Sequence, residues 1–249
     1  MTNMEGMSKT LGILGGLGPA SSVYFYDMLT SHTLAECDQQ HLNIILSSRA
    51  DTPDRTAFIL GKSQENPLGV MKREVSKLIG AGADIIAIPC NTAHYFYDSI
   101  SADASVPVIN IIRQTAIFCH RERIKKAGIL ATEGTVRSGA YSQVLSQAGI
   151  ECICPDGDGQ RIISDIIYAQ IKKGLSPDMD AFMRVADKLR AQGCDRLILG
   201  CTELSLLKRD GALDENIFTD SLEVLAYSAI RMCGKTPVGF DERLMSFRT

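Results

Sequence analysis

The chain has 249 residues, 45% of them apolar and 22% charged, proportions that suit one large or two compact globular domains and exclude wholesale disorder, collagen-like repeats and coiled coils. Its 26 Lys and Arg against 29 Asp and Glu leave a net charge of −3; the short basic stretch at residues 120–126 falls where a helix ends, so a nucleic-acid partner is not expected. Apolar runs such as 83–90 fall far short of the roughly 20 residues of a membrane span, and the first nine residues lack the apolar segment of a signal peptide, so a cytoplasmic protein with no membrane partner is expected.

Residues 1–8 carry no periodicity and are read as a flexible leader. A strand at 10–14 runs into Gly15-Gly16-Leu17-Gly18-Pro19 and then an apolar helical pattern through Val23, Tyr26, Leu29 and Thr30. There follow a strand at 43–47, a polar loop with Pro53, a helix near 68–80, a strand at 84–88 and a fourth at 108–110 leading into a helix to about Glu122. The strands are apolar along most of their length, as in a parallel sheet covered by helices on both faces.

The same order then restarts. Lys9-Thr10-Leu11-Gly12-Ile13-Leu14 resembles Lys125-Lys126-Ala127-Gly128-Ile129-Leu130, and the segment at 81–92 resembles that at 192–203, which sets Cys90 against Cys201. Two matches in the same order at nearly the same offset indicate a duplicated unit. The expected fold is α/β: two doubly wound domains related by a pseudo-twofold axis, each with a four-stranded, mainly parallel sheet, and an active site in the cleft between them. The boundaries read as 9–122 and 123–230, with a segment at 231–249 returning to pack on the first domain.

In each half the third strand ends in a cysteine, a polar pair and a helix: Cys90-Asn91-Thr92 and Cys201-Thr202-Glu203. Ligands of open parallel sheets bind beyond the carboxyl ends of the strands, and a thiol at a helix N-terminus feels the dipole and free N–H groups that favour its thiolate. Twofold-related halves would aim the two thiols at opposite sides of one cleft, the arrangement for inverting a carbon: one thiolate removes a proton while the other thiol delivers one to the opposite face. Asn91, Thr92 and Thr202 offer amide and hydroxyl groups to hold a carboxylate as it becomes enolate-like. The other cysteines, of eight in all, read as free thiols of a reducing compartment. Cys119, Cys152, Cys154, Cys194 and Cys233 are expected to be small buried hydrophobes, and Cys37 has no assigned role. Without C-x-x-C or a Cys/His tetrad, no structural zinc is expected.

The chain resembles the cofactor-independent aspartate/glutamate racemase superfamily, and within it the aspartate racemase branch. The resemblance rests on the segment from Gly12 to Pro19, Pro53-Asp54-Arg55-Thr56, Pro89-Cys90-Asn91-Thr92-Ala93-His94, Ala131-Thr132-Glu133-Gly134-Thr135 and Gly200-Cys201-Thr202-Glu203-Leu204, and spans residues 9 to about 232. It implies Cys90 and Cys201 as the catalytic acid/base pair, no pyridoxal phosphate, no metal, a small acidic amino acid as substrate and a homodimer. Arg55 looks like the arginine that grips the side-chain carboxylate, its guanidinium fork suiting a bidentate pair, and Lys172 resembles the family's second cation. Thr132 and Thr135 are placed to bind the α-carboxylate, or to cap a helix. Glu203 could tune Cys201 or bind the ammonium group, and His94 could pack or shuttle protons. Glutamate racemases usually carry an acidic residue and a serine after the first strand, and a histidine after the second G-C-T, where this chain has Gly15-Gly16 and Glu203.

Aspartate/glutamate racemisation of broader scope, or a maleate isomerase, hydantoin racemase or malonate decarboxylase on the same scaffold, stands as the alternative; both cysteines being present disfavours the decarboxylase. A nucleotide-binding module fits poorly. Its glycine turn would need Gly or Ala at Ser21, and Ser47-Ser48-Arg49 offers no acidic residue at the end of the second strand.

Overall fold

The computed structural model describes residues 9–211 and 213–247; the leader read at residues 1–8 lies outside them. The first half comprises β1 (Thr10–Gly15), α1 (Pro19–Ser31), β2 (Asn43–Ser48), α2 (Arg55–Ile59), α3 (Leu68–Gly80), β3 (Ile85–Ala87), α4 (Tyr97–Asp103), β4 (Val108–Ile109) and α5 (Ile111–Arg121). The second comprises β5 (Lys126–Leu130), α6 (Glu133–Arg137), α7 (Ala140–Gln147), β6 (Glu151–Ile153), α8 (Gly157–Asp165), α9 (Met179–Ala191), β7 (Arg196–Leu199), α10 (Ser205–Arg209), β8 (Phe218–Asp220), α11 (Ser221–Met232) and α12 (Glu242–Ser246). All strand pairings within the two sheets are parallel, in the orders β2-β1-β3-β4 and β6-β5-β7-β8. The two sheets therefore repeat one topology, an α/β fold in a two-domain arrangement. No helix among the described residues is long and apolar enough to cross a membrane.

Strand alternation divides the core. Leu11 and Ile13 of β1 and Ala127 and Ile129 of β5 point into one core shared by the two halves. Leu14, Ile86 and Ile88 fill an outer core in the first half, and Leu130, Leu197 and Leu199 fill its counterpart in the second. Gly12 and Gly128 sit at equivalent places where a helix lies close to the sheet. A Cβ at Gly12 would come within 2.7 Å of Ile86 Cδ1 and 2.8 Å of Ala83 Cβ, and one at Gly128 within 2.6 Å of Leu197 Cδ2. Gly12→Ala is expected to cost about 1–3 kcal/mol, the usual penalty of overpacking, read as a lowered midpoint in urea. An unchanged midpoint would show that the outer core is loose.

The sheets' last helices tie the halves together. Helix α11, which follows the last strand of the second sheet, packs against α1 and α5 of the first half, while α5 packs against α7 of the second. The chain then returns to the end of α1: Leu34 N–H donates to Thr236 O at 2.9 Å, Val238 N–H to His32 O at 2.8 Å, and Phe240 stacks on His32. Helix α1 differs from the sequence reading. Val23 and Tyr26 are exposed, at 68% and 45%, whereas Phe25, Met28 and Leu29 are buried with Ser21 and Ser22. The turn sets this rotation: Ser22 Oγ accepts from Gly16 N–H and donates to Gly18 O, so its small side chain occupies the inner face.

Candidate active site

The repeated topology carries both cysteines to corresponding places. Cys90 lies three residues beyond the end of β3 and Cys201 two beyond the end of β7, the inner strands that pair with β1 and β5. Both are buried, at 7% and 5% exposure, and both line one cavity with Leu17, Asp54, Arg55, Thr56, Asn91 and Thr92 from the first half. Thr132, Tyr168, Lys172, Thr202 and Glu203 complete it from the second half. Of the residues singled out in the sequence, Thr135 and His94 do not line the cavity; Thr135 reaches the site through its neighbours.

Three threonine hydroxyls converge across the halves: Thr92 Oγ1 lies 2.9 Å from Thr132 Oγ1 and 2.8 Å from Thr135 Oγ1, with 3.0 Å between the last two. Thr132 also caps α6 through the Thr135 N–H. Asn91 is a cross-brace: its Oδ1 accepts from Tyr141 at 2.7 Å and its Nδ2 donates to Ser221 at 3.0 Å. Thr202 donates to Pro89 O at 3.3 Å, linking the two cysteine turns directly. His94 is a packing residue. It is buried; its Nδ1 lies 2.8 Å from Cys90 O, and its Nε2 accepts from Ile111 N–H at 3.2 Å. The bond to Nε2 places the ring proton on Nδ1, and burial lowers the pKa, so this neutral ring braces the Cys90 turn against α5.

Charge is distributed unevenly. Arg55 is buried at 8% exposure and donates only to backbone carbonyls: Nη1 to Thr52 and Pro53, each at 3.1 Å, and Nη2 to Leu17 at 2.6 Å. Its Nε is buried without a hydrogen-bond acceptor, and no acidic side chain pairs with it among the described residues. A buried cation in that condition costs free energy that an incoming anion would recover.

Lys172, by contrast, is paired with Glu203 Oε1 at 2.6 Å and lies 5.5 Å from the Tyr168 ring centre. Burial opposes its charge, but Glu203, with Cys201 and Cys90 behind it, outweighs burial and holds its pKa above the usual lysine value. Cys201 Sγ donates to Glu203 Oε2 at 2.9 Å. Burial, and then the Glu203 charge, push this thiol well above its ordinary pKa, so Cys201 rests protonated. Gly18 lies hard against the same carboxylate, where a Cβ would collide with it. Glu203→Gln removes the charge that raises Cys201 and is therefore expected to shift its alkylation by iodoacetamide to lower pH. A profile that does not move, or moves to higher pH, would contradict the assigned coupling.

Four lining residues, Leu17, Asp54, Thr56 and Tyr168, were not singled out in the sequence. Tyr168 belongs to a wide π turn (Ile166–Gln170) that continues α8, and its hydroxyl donates to Thr56 Oγ1 at 2.8 Å, across the mouth of the cavity. Its signal was helical spacing, since Tyr168 stands one turn before Lys172; Thr56 simply follows Arg55 in the quoted motif. The cavity measures about 10 Å³, barely room for one water. Tyr168 separates it from a groove of about 600 Å³ along α6 and α8.

Comparisons with known proteins agree with this fold. Residues 14–226 match the Asp/Glu/Hydantoin racemase family. The chain is 30% identical over 226 residues to the broad specificity amino-acid racemase RacX of Bacillus subtilis (strain 168), covering 88% of this chain and 96% of that protein. The Picrophilus torridus aspartate racemase structure superposes with a TM-score of 0.83 at 30% identity, covering 96% of this chain and all of that one. A glutamate racemase from Francisella tularensis subsp. tularensis SCHU S4, in complex with D-glutamate, shares the fold at a TM-score of 0.61 and 20% identity, over 90% of this chain and 82% of that one. The chain belongs to the Asp/Glu/Hydantoin racemase family and is an amino-acid racemase, an isomerase.

Proposed function

We propose that the protein interconverts L- and D-aspartate without pyridoxal phosphate, using Cys90 and Cys201 as a two-thiol acid/base pair. The observation that carries the acidic substrate is Arg55, a buried guanidinium in the thiol-lined cavity with no acidic partner among the described residues. In this reading the side-chain carboxylate docks on Arg55 and the α-carboxylate on the Thr92, Thr132 and Thr135 hydroxyls. Asn91, braced from both sides, holds the turn that presents Cys90, and Thr202 ties that turn to the one bearing Cys201.

Catalysis then needs one thiolate and one thiol. Cys201, held protonated beside Glu203, delivers a proton to one face of the α-carbon as the Cys90 thiolate removes one from the other. The S–H bond of Cys201 and the α-C–H bond break while a new C–H bond and the S–H bond of Cys90 form. The reverse direction starts from the exchanged protonation state. Lys172 follows Glu203 and stabilises whichever thiolate is present; the substrate ammonium group faces the same carboxylate. Similarity to the Picrophilus torridus aspartate racemase favours aspartate, while similarity to the broad specificity racemase of Bacillus subtilis keeps wider use of acidic substrates as the second reading. A homodimer is part of the reading, supported by exposed Val23 and Tyr26 on α1 and exposed Leu46 on edge strand β2, beside Ser22 at Gly15. A reducing, cytoplasmic setting would keep both catalytic thiols free.

Chiral chromatography of L-aspartate, L-glutamate and L-alanine, incubated with enzyme and thiol reductant alone, tests the assignment. D-Aspartate should form fastest, and faster conversion of alanine would reject it. Entry to a cavity this small requires Tyr168 to part from Thr56. Tyr168→Phe, which deletes only the linking hydroxyl, is expected to speed iodoacetamide labelling of Cys90 severalfold in the substrate-free enzyme. Labelling at the wild-type rate would remove Tyr168 from the opening step.

A further inference from the structure

Cys152 and Cys154 stand apart from the catalytic cavity, on and just beyond the edge strand of the second sheet. Cys152 is in β6 and pairs in register with Ala127, while Cys154 lies one residue past the strand, beyond the last ladder pair of Ile153 with Gly128. Residues two apart on a strand share a face, and both side chains pack against the core shared by the two halves. The Ser142 hydroxyl on α7 lies 3.7 Å from Cys152 Sγ. Both cysteines are partly exposed, unlike Cys119, Cys194 and Cys233, which are buried as read from the sequence. The pair therefore combines proximity along the chain, access and different proton affinities. The neighbouring Cys154 thiol brings the Cys152 thiol down to about 7, and Cys152, with burial, pushes Cys154 up.

We propose that Cys152 and Cys154 form a dithiol site, separate from the racemase centre, that reacts with a small disulfide of the glutathione class and closes to an intramolecular disulfide. The Cys152 thiolate attacks one sulfur of the disulfide R–S–S–R, forming Cys152–S–S–R and releasing RS⁻. Cys154 loses its proton to that thiolate and attacks Cys152 Sγ, releasing the second RS⁻. The two protein sulfurs are oxidised together, and R–S–S–R is reduced to two thiols. An attacking thiol works best when its pKa lies near the ambient pH, which suits Cys152 as the first nucleophile.

Closure at this position requires the chain to leave regular strand geometry. Residues two apart in a strand have Cα atoms about 6.6 Å apart, at the long end of the 4.4–6.8 Å a disulfide spans. Closure must therefore bend the chain slightly, and Cys154 lies where no ladder bond opposes the bend. Pro155 and Asp156 follow at once, and Asp156 caps α8, the helix whose continuation bears Tyr168 and Lys172. The site thus sits at the root of the segment that closes the catalytic cavity.

The test exposes the whole enzyme at neutral pH to glutathione disulfide, at a concentration that converts exposed Cys37 to its glutathione adduct. Remaining thiols are then blocked with N-ethylmaleimide, and tryptic peptides are weighed without reduction. Peptide 138–161 contains Cys152 and Cys154 as its only cysteines. In the wild type it should appear two hydrogens lighter and free of maleimide. Cys154→Ser should trap a stable glutathione adduct on Cys152, and Cys152→Ser should leave Cys154 to the maleimide. The proposal is overturned if the wild-type peptide carries two maleimide groups, or if its glutathione adduct accumulates unresolved as in Cys154→Ser. This readout does not depend on any racemase activity.

Discussion

Cys90→Ser and Cys201→Ser are each expected to lose racemisation by about 10³-fold or more, while each still exchanges the α-proton of one enantiomer with solvent. The first loss follows from removing a positioned acid or base, whose contribution is about 10²–10⁴-fold; a serine hydroxyl cannot replace a thiol that must ionise near neutral pH. The second expectation follows from having a thiol on each side of the substrate. With Cys201 alone, the enantiomer whose α-proton faces Cys201 can lose it and regain a deuteron on the same face; with Cys90 alone, the opposite enantiomer does so. Chiral chromatography and proton NMR of the same samples separate the two outcomes. Exchange of both enantiomers by either single variant, or racemisation near the wild-type rate, would mean that one thiol serves both faces or that another group acts as the second base.

Arg55→Ala is expected to reduce kcat/KM for aspartate about 10- to 100-fold relative to alanine, the worth of one charged hydrogen-bonding partner at about 1.5–3 kcal/mol. The ratio of substrates is the informative quantity. Arg55 also holds the carbonyls of Leu17, Thr52 and Pro53, so its removal should loosen the site for every substrate; only the carboxylate-bearing one should lose the additional factor. Arg55→Lys keeps a cation but loses the planar fork, and should recover part of that factor. Equal losses for aspartate and alanine would make Arg55 a scaffold for the 52–55 turn and leave Lys172 as the side-chain anchor.

What the sequence made legible was the part governed by repetition and local patterning. The matched segments around Gly12 and Gly128 and around Cys90 and Cys201 carry corresponding residues to corresponding strand ends, because two sheets with the same strand order are built from them. The motifs also led to nine lining residues, from Arg55 to Glu203. Less legible was whatever depends on packing between distant elements. The exposed face of α1 was misread because Val23 and Tyr26 are apolar, whereas the inner face uses Ser21 and Ser22 where the helix meets the Gly15–Gly18 turn. The bracing of Asn91 by Tyr141 and Ser221 joins residues 50 and 130 positions away, and no periodicity announces it. The bond from Tyr168 to Thr56 likewise depends on the fit of α8 against the first half, and on a wide turn that shifts the helical register. Cys152 and Cys154 looked like core residues because their strand is apolar, but its place at the edge of the sheet leaves both thiols partly exposed.

The most direct test of the two-thiol account is proton NMR of L-aspartate in D2O with the reduced enzyme and no pyridoxal phosphate, followed by chiral analysis of the same sample. The account predicts loss of the α-proton signal together with the appearance of D-aspartate, each D-molecule carrying solvent deuterium at the α-carbon. D-Aspartate that retains its original α-proton, or an unchanged L-aspartate spectrum with Cys90 and Cys201 shown to be reduced, would contradict it.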